Sequence, residues 1–280
     1  MNNSAANVST NGDSTTVSIG LVNSLEICVY LINLLFCLPT NSYVMRLIVT
    51  GTGSGIVSEF FILNLSVCEI GICLNSLIFV LSMWFRGLST CEQFLIGFSI
   101  TGRPLFQCLM CVERYLAVVH PVTFLKYKPL RYRVICCTAA WIICLSSCFL
   151  CMFTLDAQYA VYVWFLTMQL LVFLFIKLFC LSAVLRALKQ SGPGERGRER
   201  GEENHMKRRA FYLILITTVT TVLTYGPITI TGFFYIVTHN YVDRPEVWLS
   251  GFFCFVLAGF VQPVLYLQRT GKISRFSCKI

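Results

Sequence analysis

Residues 91–121 read CEQFLIGFSITGRPLFQCLMCVERYLAVVHP. From Cys91 to Val119 the stretch is long and apolar enough to cross a bilayer as one helix. About 20 residues rising about 1.5 Å each cover a hydrocarbon core of about 30 Å. Apart from Glu92 at its start, its charges are Arg103 in the middle and Glu113-Arg114 near the end. Six further apolar runs lie around it, at about Leu21–Val49, Val57–Trp84, Tyr132–Phe153, Tyr159–Leu188, Met206–Val237 and Val247–Leu267. The expected fold is an all-α membrane protein, a seven-transmembrane helix bundle over residues 21–268, between tails at 1–20 and 269–280.

Composition points the same way. The chain is 56% hydrophobic and 12% charged, about half the charge that a soluble domain of ordinary make-up carries. Its surface must therefore prefer lipid. Connections are short except 189–205, which contains SGPGERGRERGEEN. That Gly-rich, charged segment is expected to be flexible and solvated.

Lys and Arg fix the expected orientation. With the N-terminus outside, eighteen of the 22 fall on the cytoplasmic side, among them Arg114, Lys126, Arg131, Arg133 and the run from Arg186 to Arg209. Only Arg86 and Arg244 fall outside, and Arg103 and Lys177 lie within spans. The net charge of +9 then reads as attraction to an anionic inner leaflet, and nucleic acid is not needed to explain it. Trp84, Trp164 and Trp248 fit an outer interfacial belt.

The first 20 residues lack the basic and apolar regions of a cleaved signal peptide, so the first span is expected to direct its own insertion. Asn2 and Asn7 head N-x-S sequons usable for glycosylation on an extracellular tail. A third sequon at Asn64 lies inside an apolar run. Most of the 15 cysteines also fall within spans, where Cys acts as a small hydrophobe. None has metal-site spacing with a His, so no metal and no cofactor are expected.

The stretch Cys111-Val112-Glu113-Arg114-Tyr115-Leu116-Ala117-Val118-Val119-His120-Pro121 resembles the Asp/Glu-Arg-Tyr signature of rhodopsin-like (class A) G-protein-coupled receptors. Further landmarks follow in family order. Asn41 stands in the first span, Asn64-Leu65-Ser66-Val67-Cys68-Glu69 in the second and Trp141 in the fourth; Tyr225-Gly226-Pro227 and Gln262-Pro263-Val264-Leu265-Tyr266 follow in the sixth and seventh. The wording around His120–Tyr127 is closest to the branch holding nucleotide, lipid and protease-activated receptors. The resemblance implies a G-protein-facing switch at Glu113, Arg114, Tyr115 and Tyr266, and an internal polar network of Asn41, Glu69 and Gln262, to which this sequence adds Arg103. It also implies hinges at Pro227 and Pro263, a short amphipathic helix in the tail with lipidation at Cys278, and an outer disulfide for which Cys91 and Cys151 are the candidates.

The sequence is atypical of that family. Tyr225 replaces the usual Trp, Gln262 the usual Asn, and Thr221 the usual Phe. Val172 stands for the proline of the fifth span and Cys180 for its inner Tyr. Arg103 is a mid-membrane charge costing about 2.5–3.5 kcal/mol on insertion scales, and it needs a partner. Glu69, where the family holds a sodium ion, is the expected one. Lys177 is expected to snorkel toward the inner interface.

By resemblance the expected protein is a receptor in the plasma membrane, extracellular N-terminus, passing the binding of an extracellular ligand to a heterotrimeric G protein. The third-span acid that binds amines is absent, and Gly232 stands where nucleotide receptors carry a basic residue. Phe98, Trp164, Tyr225, Thr229 and Phe252 are the candidate pocket, favouring an apolar or weakly polar ligand. A retinal protein is disfavoured because no Lys lies between Val247 and Leu267. An enzyme or transporter would want paired acids or His clusters at mid-membrane. A non-signalling receptor-like protein, a scavenger or dimer partner, stays open because the switch residues depart from the family.

Overall fold

The computed structural model describes residues 24–25, 27–50, 59–127, 129–154, 158–190, 198–238 and 245–269; of 86, 126, 127, 190, 198–206, 245–250, 252 and 269 it describes the backbone alone. Seven long helices follow one another: α1 Ile27–Val49, α2 Phe60–Ser82, α3 Ser89–Val119, α4 Leu130–Thr154, α5 Tyr159–Gln190, α6 Arg198–Thr238 and α7 Pro245–Arg269. A short helix, Pro121–Tyr127, joins α3 to α4. Helices α1 to α6 each carry a stretch long and apolar enough to span a bilayer, and the apolar part described in α7 is Phe253–Gln268. The seven-helix bundle expected from the apolar runs is the fold.

Burial is inverted relative to a soluble protein. Large apolar side chains such as Leu35, Phe175 and Ile230 are 66%, 73% and 71% exposed, while Glu69, Arg103 and Lys177 are 2%, 1% and 0% exposed. That distribution suits a lipid solvent, in which the polar groups must find partners inside the bundle. Trp84 and Trp164 are on the exposed surface, as an interfacial belt requires.

Helix α3 occupies the centre. It packs against α2, α4, α5 and α6, and α1 closes the ring against α7. Its apolar stretch is 61% buried, against 28–44% for the other spans. Close approach of α3 to α4 depends on Gly97, where an added Cβ would lie 2.7 Å from the Ser147 carbonyl and 2.8 Å from the Cys148 Cα.

Two local features differ from the sequence reading. Helix α1 widens into a π-turn at Asn33–Cys37, immediately before Pro39. A proline ring collides with the carbonyl four residues earlier and offers it no N–H, and a wider turn ahead of it absorbs that conflict. Helix α6 begins at Arg198, inside the segment expected to be flexible. The run RERGEENHMKRR is rich in Arg, Glu and Lys, whose helix propensity is high, so the helix continues beyond its apolar part. Pro104, Pro227 and Pro263 all lie within continuous helices. The tail with Asn2 and Asn7, and the segment with Cys278, lie outside the described residues.

Candidate functional site

Midway along α3, the Arg103 guanidinium meets Glu69 of α2 through two parallel bonds, Nε to Oε1 at 2.6 Å and Nη2 to Oε2 at 2.7 Å. Its third nitrogen donates to the Phe255 carbonyl of α7, and the guanidinium lies 3.9 Å from the Phe255 ring centroid. A bidentate fork with an added carbonyl and ring face answers nearly every donor of the cation. Gly259 leaves the room: a Cβ there would lie 2.9 Å from Cys37 Sγ, 3.1 Å from Arg103 Nη2 and 3.4 Å from Glu69 Oε2.

The rest of the expected polar network divides. Asn41 donates to Cys37, to its carbonyl at 3.0 Å and its Sγ at 3.1 Å, so it turns along its own helix beside the pair. Gln262 lines a separate cavity one helical turn further along α7.

That cavity lies at the Arg114 end of the bundle and has a volume of about 720 Å³. Arg114 of α3, Arg208 and Arg209 of α6, and Gln262 and Tyr266 of α7 line it. No Asp or Glu is among the described residues that line it. Tyr266 donates to Glu59 Oε2 at 2.7 Å, and Glu59 is buried where α2 begins. Glu113 accepts from Arg133 of α4 at 2.6 Å, so the carboxylate next to Arg114 in the chain has a partner on another helix. The Tyr115 hydroxyl is 3.1 Å from His120 Nε2, and its ring packs edge-on against Phe179.

Lys177 does not snorkel. Its ammonium is fully buried and donates to Gln107 Oε1 of α3 at 2.8 Å and to the Thr221 hydroxyl of α6. Thr221 stands where the resemblance leads one to expect Phe, and the smaller side chain supplies both space and an acceptor. Two oxygens inside the bundle thus outcompete a climb of 13–14 Å, about nine residues of helix, to the interface.

The Cys91–Cys151 disulfide is not formed; both thiols are free, Cys91 exposed and Cys151 buried. Cys151 packs at the level of Gly97, where an added Cβ would lie 3.0 Å from its own. Cys91 is six residues away on α3, roughly 9 Å of helix rise, too far for the Cα separations a disulfide tolerates.

The candidate ligand residues do not converge. Phe98 stacks on Trp141 and fills the space over Gly71. Trp164 is on the exposed face of α5, because Tyr162, Val163, Leu166 and Thr167 take the inward positions of the helical repeat. Thr229 donates along α6 to the Tyr225 carbonyl, and of Phe252 only the backbone is described. Tyr225 is buried with its ring edge-on to Phe255, and its hydroxyl has no hydrogen-bond partner among the described residues.

Glu59, Gln107 and the partnering role of Arg133 were missed in the sequence. A lone acid or amide inside an apolar run is a visible signal. Which helix supplies its partner depends on helix rotation, which one sequence does not carry.

Residues 40–161 match the model of the seven transmembrane receptor (rhodopsin family). The human chemokine XC receptor 1 is 28% identical over 227 residues, covering 73% of this chain and 63% of the receptor. The human C-C chemokine receptor type 8 is 24% identical over 73% of this chain and 61% of the receptor. The rat uracil nucleotide/cysteinyl leukotriene receptor is 27% identical over 44% and 38%. The chain thus spans less than two thirds of the length of these relatives. Together with the seven-helix bundle, these matches bear out the resemblance read from the motifs.

Proposed function

We propose, on the premise that the chain is kin to the rhodopsin-family seven-transmembrane receptors, that it passes the binding of an extracellular ligand to a heterotrimeric G protein. It does so from the plasma membrane, with its N-terminus outside. The observation that carries the reading is the cavity of about 720 Å³ at the Arg114 end, lined by three arginines and, among the described residues, by no acid. Such a concave, cationic mouth suits a helical segment that brings a carboxylate, as the C-terminal segment of a G protein does. Tyr266, which lines it, ties α7 to α2 through Glu59, and Glu113, next to Arg114 in the chain, ties α3 to α4 through Arg133. The relatives are named for chemokines, a nucleotide and a leukotriene, so they do not select one ligand class.

A second reading is a receptor-like protein that does not signal. The substitutions at Thr221, Tyr225 and Gln262 and the ion pair at Glu69 favour it, because they replace the parts that would move. Nucleotide exchange on G proteins, measured in cells for the parent and Arg114→Ala at matched surface expression, separates the two. Output in the parent that Arg114→Ala lowers supports transduction; equal output from both supports the second reading.

A further inference from the structure

The width of the cavity is set by how α6 sits against α3. The largest part of the cavity wall is α6, from Arg208 to Thr217, facing Met110, Cys111 and Arg114 of α3. The Cys111 thiol and the Thr217 hydroxyl, 3.5 Å apart, mark where the two helices meet at the cavity's roof.

One helical turn beyond that roof, three helices are joined at one point. Lys177 of α5 donates to Gln107 of α3 and to Thr221 of α6, and Thr221 in turn donates to Gln107 at 3.3 Å. Gln107 is four residues from Cys111 and Thr221 four from Thr217, so on each helix the same face runs from the cavity roof to the node. Every member is buried. An ammonium in an apolar interior is held only while its acceptors stay in reach. Moving α6 away from α3 pulls Thr221 from Gln107 and forces Lys177 to lose one of the two.

We propose that Lys177 is a latch that holds α6 against α3 and keeps the cavity in its narrow state, and that a partner helix must break the Lys177–Thr221 or Lys177–Gln107 bond to enter. The latch takes over a place where the family resemblance leads one to expect an apolar side chain. It rests on the proposed function for the entry of a partner helix at this end of the bundle. The bonds themselves do not depend on that reading.

The test keeps the two ideas apart. Spin labels are attached to genetically encoded keto amino acids at positions 131 of α4 and 207 of α6, and the distance distribution is measured in lipid nanodiscs. The parent is compared with Lys177→Met, Thr221→Val and Thr221→Ser. Thr221→Val keeps the shape of the side chain, so it remains informative if Lys177→Met folds poorly. The expected result is a longer-distance population for Lys177→Met and Thr221→Val, with the open-to-closed ratio raised at least about tenfold, the size of one charge-assisted hydrogen bond. Thr221→Ser, which keeps the hydroxyl, should match the parent. Unchanged distances in both Lys177→Met and Thr221→Val overturn the latch. G-protein nucleotide exchange is measured on the same variants without labels. Lengthened distances with no exchange in any variant leave the latch standing and count against transduction. Lengthened distances with raised exchange support both.

Discussion

Arg103 and Glu69 meet as a planar fork and a carboxylate, two bonds of 2.6 and 2.7 Å in a place where each side chain is at most 2% exposed. Taking both charges from water is costly, and the pair persists because the fork, the Phe255 carbonyl and the Phe255 ring satisfy the cation together. Removing one partner leaves the other charge stranded.

Arg103→Met or Glu69→Leu alone should therefore lower stability by about 3–5 kcal/mol, whereas the double variant should regain most of it. Thermal unfolding of purified protein in detergent reads this directly; a double variant no better than the worse single variant would count against the pair. The guanidinium engages both oxygens of Glu69, so a sodium ion is not needed to balance that carboxylate. Exchanging sodium for choline in the buffer should then leave the parent's melting temperature unchanged.

The pair also depends on an absence of side chain. Gly259→Ala would put a methyl 2.9 Å from Cys37 Sγ and 3.1 Å from Arg103 Nη2. Both neighbours are fully buried and cannot retreat, so the expected cost is about 1–3 kcal/mol. Gly87, where an added Cβ meets nothing within 4 Å, is the control: Gly87→Ala should stay within about 0.5 kcal/mol of the parent. Equal melting temperatures for the two variants would mean that Gly259 is not a packing requirement.

The free thiols give a third expectation. Cys91→Ser and Cys151→Ser should each retain surface expression, and peptide mapping without reduction should find no 91–151 bridge. Cys151→Ser replaces a buried thiol and should cost somewhat more stability than Cys91→Ser, which changes an exposed one. A bridged peptide, or a large loss of melting temperature when the parent is reduced, would restore the disulfide.

These residues mark how far the sequence could be read. The seven apolar runs and the position of Glu113-Arg114-Tyr115 are local patterns, and each survives in the structure because span length and charge placement are properties of one helix at a time. The Glu69–Arg103 contact was also legible, since a mid-membrane cation has few acids to choose from. Lys177 was misread for the opposite reason: its acceptors, Gln107 and Thr221, are neutral and stand 70 and 44 residues away, so no local rule links them. Cys151 was misread by about two helical turns because the depth at which α4 packs on α3 is set by Gly97, and nothing in the spacing of cysteines records that depth. The candidate pocket failed at Trp164 because an aromatic residue faces lipid or core according to helix rotation alone.

Tyr266 and Glu59 supply the last test, because they join the seventh helix to the start of the second at the edge of the cavity. The Tyr266 hydroxyl donates to Glu59 Oε2 at 2.7 Å with both side chains buried. Tyr266→Phe removes the donor of one bond to a buried carboxylate, a loss of roughly 1.5–3 kcal/mol for a bond to a charged group. Glu59→Gln keeps an acceptor oxygen at that position and should cost less, about 0.5–1.5 kcal/mol for a neutral bond. If the contact only stabilises the fold, G-protein nucleotide exchange per receptor at the surface should be the same in both variants as in the parent. If it also restrains α7, exchange should rise in Tyr266→Phe and stay near the parent in Glu59→Gln. The order of the two melting temperatures checks the hydrogen bond, and a Glu59→Gln variant less stable than Tyr266→Phe would rule out the Tyr266–Glu59 bond.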